Sequence, residues 1–184
     1  MRWHWIDQIT ELKSGQRMAA IKNVTLSEDA INEHFSARIG PDGTREEAIP
    51  VMPGSLMIEG MAQTAGLLVG EMSRFQEKVV LAKVNRAVIE RDVIAGQTIK
   101  YEAEIEHVDP IGVATRGKIS ALDHVTGTWF HVGEVELIFS HLDQNRAGEH
   151  FGADNFVFSD NFKYIMSTVP KPAAAHTDLD IAAR

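Results

Sequence analysis

The chain has 184 residues, 44% of them hydrophobic and 24% charged, the make-up of a globular protein long enough to bury one core. Its net charge is −8, from 18 Lys and Arg against 26 Asp and Glu, with no basic run that could neutralise a phosphate backbone, so nucleic acid is not an expected partner. No cysteine is present, which sets aside disulfides, thiolate metal ligands and thiol nucleophiles and suits a reducing, cytoplasmic address.

Polar residues lie in Met1 to Asp7 where a secretory signal would carry its apolar run, so no export is expected. Trp5, Ile6, Ile9 and Leu12 recur at helical intervals and predict a short amphipathic helix that stops before Ser14-Gly15. Arg17 to Val24 reads as a strand. Ser27-Glu28-Asp29 then offers an N-cap and an acidic first turn to a short helix that delivers His34 and Phe35. Ser36 to Ala48, with Gly40-Pro41-Asp42-Gly43 and mixed charges, has turn chemistry and no apolar face, which predicts a surface loop.

From Pro53 to Met72 the chain is apolar on nearly every side, as in a helix enclosed by other structure. Glu59, Gln63 and Glu71 interrupt it, so it is read as a core helix and not a membrane span. Ala62, Gly66 and Gly70 recur every fourth residue, a smooth stripe for close packing. Strand-like runs follow at Val79 to Val88, Gln97 to Val108, Val113 to Leu122 and Thr128 to Ser140, with Asp109-Pro110-Ile111-Gly112 and Asp123 to Gly127 as turns. The second run alternates Ile99, Tyr101, Ala103 and Ile105 with Lys100, Glu102, Glu104 and Glu106, so one face is dry. An antiparallel meander curled around a buried helix is the simplest arrangement, an α+β fold. Residues 1–140 form the expected domain. Residues 141–170, with Phe151, Phe156, Phe158, Phe162 and Tyr164, read as an extension docked on it, helical near Phe162 to Ser167, and 171–184 as a mobile tail.

Glu59 near the start of the apolar helix is the first candidate for chemistry, because burial disfavours an ionised carboxylate and makes a general acid. A partly exposed Glu closing the first turn is an equally ordinary reading of that residue alone. Gln63 lies one turn on, where its amide can direct the carboxyl group. Pro53-Gly54 leaves the helix N-terminus unobstructed, and its free N–H groups can polarise a carbonyl and stabilise an enolate-like charge. His34 would be the base near neutral pH. Base, acid and oxyanion donor together suit β-elimination of water, with a bell-shaped pH profile.

His34-Phe35 followed by Val51-Met-Pro-Gly-Ser-Leu-Met-Ile-Glu-Gly-Met-Ala-Gln63 resembles the signature of the β-hydroxyacyl-acyl-carrier-protein dehydratases of type II fatty acid synthesis. Trp5 to Ile9, Ile21 to Val24, Lys83 to Gly96 and Gly133 to Phe139 look like the family's remaining blocks, so the likeness runs from Trp5 to Ser140. The resemblance implies a hot-dog fold, a long central helix wrapped by a curled antiparallel sheet. It also implies His34 and Glu59 as the catalytic pair, Glu59 marking the general dehydratases and not the isomerising branch. Gln63 would orient the acid, the Gly54 N–H would face the thioester carbonyl, and the Val51 backbone carbonyl would hold the imidazole tautomer. It further implies a homodimer that shares each site between subunits, assembled in some members into a trimer of dimers. No cofactor or metal is implied, the acyl chain arriving on the phosphopantetheine of acyl carrier protein. That acidic partner would need a basic docking patch, for which Arg74, Lys78, Lys83, Arg86 and Arg91 are candidates.

Two departures stand out: Ala95-Gly96-Gln97 replaces the usual Pro-Gly-Asp, and a long loop sets His34 and Glu59 59 − 34 = 25 positions apart. Loop growth costs little entropy, so the imidazole can still reach its place. Alternatives are a hot-dog thioesterase, which would use a carboxylate to activate water at the carbonyl and needs no proton removed from the neighbouring carbon, and a non-catalytic acyl-binding subunit that keeps the fold.

Overall fold

The alternation of one strand sets the inside and outside of the molecule. In β6 (Thr98–Asp109), Ile99, Tyr101 and Ala103 are fully buried while Glu104 and Glu106 face outward. The strand pairs antiparallel with β2 (Arg17–Asn23) on one side and β7 (Gly112–Asp123) on the other. With β1 (Gln8–Lys13), β5 (Val79–Ile89) and β8 (Thr128–His141) it completes a six-stranded antiparallel sheet of order β1-β2-β6-β7-β8-β5. The computed structural model describes residues 3–141 and 160–170.

The sheet curls around the central helix, Gly54–Met72, which packs against β2, β5, β6, β7 and β8. Met57, Met61, Ala65, Leu67 and Leu68 of that helix are buried. This is the enclosed helix and dry sheet face that the apolar run and the alternation predict. Two glycines set how near the layers come: a Cβ at Gly60 would run into the Tyr101 ring, and one at Gly117 into the Met61 side chain. The helix also meets the sheet at Gly66, but a Cβ there would only touch Phe139, so Gly60, outside the predicted stripe, is the close approach. Asp109 Oδ1 accepts the Ile111 and Gly112 N–H groups at 2.8 and 2.9 Å and closes the β6–β7 turn, as its side chain is suited to do.

Several expectations are corrected. Residues Gln8–Lys13 form a strand, not a helix. A bulge between Ile9 and Glu11 adds a residue and flips the side-chain parity, so Ile9 and Leu12 share a face although three positions apart. Their spacing imitates a helix for that reason. The strands are not a simple meander either: β6, β7 and β8 follow one another, but β5 lies outside β8, and β2 takes the place beside β6. The crossing segment from β5 to β6 passes under the start of the central helix, where Val93 is buried, its carbonyl accepts Met52 N–H at 2.8 Å, and Ile94 bridges to Val51.

The short helix α1, Asp29–Asn32, forms one turn with Glu28 as N-cap and no side-chain cap bond. Glu28 instead pairs at 2.6 Å with the buried Lys22, which also reaches Asp7 at 3.3 Å and so ties the start of α1 to β2 and to the N-terminal segment. The predicted surface loop contains a small hairpin, β3 (Arg38–Ile39) and β4 (Arg45–Glu46), held by an Arg38–Glu46 ion pair and exposed except at Gly40. With these, the central helix is α2. A last helix, α3 (Asp160–Ser167), packs on β1, with Ile165 in the core. Phe151, Phe156, Phe158 and the tail from residue 171 lie outside the described residues.

Candidate active site

Pro53 is the N-cap of α2 and offers no side-chain acceptor, and Leu56 and Met57 N–H both turn back to the Pro53 carbonyl at 2.9 and 3.1 Å. The N–H groups of Gly54 and Ser55 are therefore left without a partner among the described residues, at the positive end of a helix whose first turn holds no acidic side chain. A Cβ at Gly54 would touch only Ile89 Cγ1 at 3.8 Å, so the approach to these N–H groups is open. Val51, just before this turn, is buried and bridged to Ile94.

Glu59 sits one turn further along and is only half-buried in the single chain, less enclosed than the apolar run suggests. Its partner is the expected one: Gln63 Nε2 donates to Glu59 Oε1 at 2.9 Å. Gln63 is itself buried, donates also to the Trp3 carbonyl at 3.1 Å, and accepts the Trp5 N–H at 2.9 Å through Oε1. Both N–H groups and the oxygen of the side-chain amide are thus engaged, and it presents a donor to one oxygen of the acid.

His34 is placed differently. It follows α1, is exposed, leans against the Phe35 ring at 4.4 Å between centroids, and makes no hydrogen bond among the described residues. It lines a cleft of about 710 Å³ with Phe35, Arg38, Glu46, Glu47 and Ile49. No α2 residue forms part of that wall among the described residues, and no bond joins His34 to Glu59 or to the Val51 carbonyl within one chain. The structure brings Gly54, Glu59 and Gln63 together and leaves His34 apart from them.

A family model covers the stretch that holds these parts, a His-Phe arm and then a Pro-Gly turn opening a helix with Glu and Gln one turn apart. Residues 2–128 fit the FabA-like domain. The chain belongs to this family of β-hydroxyacyl-acyl-carrier-protein dehydratases. Curated relatives agree: a 3-hydroxyacyl-[acyl-carrier-protein] dehydratase FabZ of Listeria welshimeri is 32% identical over 139 residues, 75% of this chain and 85% of that protein. The FabZ of Clostridium acetobutylicum is 32% identical over 110 residues, 59% of this chain and 70% of that protein. Among solved structures, the dehydratase heterocomplex ApeI:P of Xenorhabdus doucetiae superposes with a TM-score of 0.54 at 17% identity, covering 78% of this chain and 85% of that one. An acyl-CoA hydrolase of Staphylococcus aureus bound to coenzyme A gives 0.54 at 14% identity, covering 86% and 84%. At such identities these likenesses show the hot-dog fold alone.

Several features of this FabA-like chain bear on its surface and were not read from the sequence. The backbone of Trp3 and Trp5 holds Gln63, a contact 60 and 58 positions away that no local pattern signals. Of the basic residues offered as a docking patch, Lys78 is buried, Arg86 pairs with Glu134 at 3.4 Å and the Arg91 guanidinium lies 4.5 Å over the Phe130 ring. Lys83 and Arg86 stand on β5, whose residues 81–87 are exposed on both faces. Among the described residues no cluster of His, Asp and Glu is set to hold a metal, and no helix is long and apolar enough to cross a membrane.

Proposed function

We propose that the chain is a hydro-lyase that removes water reversibly from β-hydroxyacyl thioesters to give trans-2-enoyl thioesters, in fatty acid or related lipid biosynthesis, with His34 and Glu59 as its catalytic pair. The observation that carries the reading is the Glu59–Gln63 bond one turn inside a helix whose first N–H groups are open, in a FabA-like chain. His34 takes the proton from the carbon beside the thioester carbonyl. The electron pair forms the new double bond as the β-carbon releases its hydroxyl group, which leaves as water with the proton of Glu59. The Gly54 N–H stabilises the charge gathering on the carbonyl oxygen. The proton on His34 and the one missing from Glu59 are then exchanged through solvent, which resets the pair.

The site is completed by a second copy of the chain, His34 of one subunit facing Glu59 of the other, with the Val51 carbonyl holding the imidazole. The doubly exposed edge strand β5 and the exposed Phe35, Ile39 and Ile49 supply surface for that homodimer, which further assembles as a trimer of dimers in the fullest form of this reading. The substrate is carried by acyl carrier protein. No metal or organic cofactor takes part, and the protein works in the cytoplasm. Residues 1–140 form the dehydratase unit and 141–170 an extension packed on it.

The test is the absorbance of the enoyl thioester when the protein meets a β-hydroxyacyl thioester. His34→Ala and Glu59→Gln each reduce turnover at least ~1000-fold while the protein stays folded and oligomeric, the loss expected when one member of an acid–base pair is removed. Retained turnover in either variant removes that residue from the mechanism. Absence of turnover in the unmodified chain, with acyl carrier still bound, makes it an acyl-binding subunit.

A further inference from the structure

The Gln63 amide is oriented by backbone. Rotated by half a turn, its Nε2 would face the Trp5 N–H and its oxygen would face the Trp3 carbonyl, like against like at both backbone contacts. Residues 3–5 therefore dictate that Glu59 Oε1 meets an N–H. The carbonyl oxygen of a protonated carboxyl group is a better acceptor than its hydroxyl oxygen, so this donor favours the acidic proton on Oε2, the oxygen left free for a departing hydroxyl group.

Residues 3–5 have no secondary structure of their own, and packing holds them. Trp5 is buried in the core, with Trp3 edge-on to it at 5.5 Å. His4 lies edge-on to Phe162 of α3 at 5.2 Å, with Nδ1 buried and unpartnered among the described residues. Just beyond α3, the Thr168 hydroxyl accepts the Ile9 N–H at 2.9 Å, at the β1 bulge, and donates to the Ile165 carbonyl at 2.6 Å. Phe162 and Thr168 thus grip the strand and the segment that precede it.

We propose that α3 is a latch on the acid: through Phe162 and Thr168 it holds residues 3–9, whose backbone aims Gln63 and thereby selects the oxygen of Glu59 that carries the proton. Phe162, Thr168 and His4 are positioning residues. The inference rests on the reading of Glu59 as the acid, and it gives the extension after β8 a part in the reaction.

The test uses the full chain with Thr168→Val, Phe162→Ala and both together, beside the conservative Thr168→Ser and Phe162→Tyr and beside Glu59→Gln. Amide exchange at Ile9 reports the latch directly, and in the double variant it rises at least ~10-fold as the N–H loses its acceptor. The double variant is expected to lose about 10-fold in kcat with KM within about twofold, because a proton donor acts in the transition state and not in substrate binding. Thr168→Ser and Phe162→Tyr are expected to keep kcat near the unmodified value. All rates are taken well below each variant's melting temperature. Faster exchange at Ile9 with unchanged kcat overturns the latch, as does exchange that stays at the original rate in the double variant. Should Glu59→Gln remain active, the acid assignment fails and the latch with it; an inactive Glu59→Gln beside an unaffected double variant removes the latch alone.

Discussion

The two halves of the proposed catalytic pair are built to different standards within one chain. Around Glu59 the support is firm: Gln63, 7% exposed, makes three hydrogen bonds, and the helix beneath it is pressed against Tyr101 at Gly60. Around His34 little is engaged: the imidazole is exposed, the hairpin beside it is held by surface ion pairs, and Ile39 and Ile49 stand 69% and 56% exposed. A half-site that is finished and one that is open on its apolar side differ in what they still require. The carboxyl group is preorganised by its own chain, whereas in the proposed homodimer the imidazole would acquire its surroundings on association.

The largest effect that could break this contrast is complementation. Inactive His34→Ala and Glu59→Gln proteins, mixed under conditions that exchange subunits, should recover about a quarter of the original turnover. Half of the dimers are then mixed, and each mixed dimer of an isologous pair keeps one intact site. If each chain carried a whole site, mixing would return nothing, and the open state of the His34 arm would need another cause. Size-exclusion profiles of the mixture check that the oligomer persists.

A smaller effect probes the firm side. Gly60→Ala places a methyl group into the fully buried Tyr101 ring, and overpacking of this kind costs about 1–3 kcal/mol. Alanine returns about 0.5–1 kcal/mol through helix propensity, so a net loss of up to about 2.5 kcal/mol is expected, read as a lower urea midpoint at unchanged slope. Turnover should also fall, because Glu59 is the next residue and moves with the helix. An unchanged midpoint together with unchanged turnover would mean that helix and sheet give way freely there, and the acid would lose its claim to rigidity.

The same contrast governs what could be read from the chain alone. The α2 run, the alternation of β6 and the Asp109 turn follow from local periodicity and side-chain chemistry, and they appear at the expected positions. So does the Glu59–Gln63 bond, because one helical turn separates the two. What escaped depends on distance or on a local irregularity. A bulge in β1 disguised a strand as a helix, and the grip of residues 3–5 on Gln63 links positions that share no pattern. The placement of β5 outside β8 depends on the path of the crossing segment beneath α2, to which alternation within a strand is blind. The hairpin of residues 38–46 was hidden because its strands are two residues each and bury nothing.

The smallest expected effect separates shape from polarity under the acid. Tyr101 is buried with its hydroxyl unpartnered, and burial, aided by the negative charges of Asp7 and Glu28, pushes its ionisation well above the ordinary tyrosine range. Below about pH 10, the ordinary value, folded and unfolded chains both hold this proton and stability does not depend on it. Above that, the unfolded chain releases a proton that the folded chain keeps, so Tyr101 makes stability fall as pH rises. Tyr101→Phe removes that contribution, and the melting temperature should decline less steeply above about pH 10 than in the unmodified protein. At neutral pH the variant should be as stable or up to about 1 kcal/mol more so, since the hydroxyl it removes has no partner to lose. Its ring still fills the space against Gly60, so turnover should not change. A fall in kcat without a fall in stability would place the hydroxyl in communication with Glu59. The firmness of the acid side would then rest on a polar network and not on the fit of an aromatic ring against a glycine.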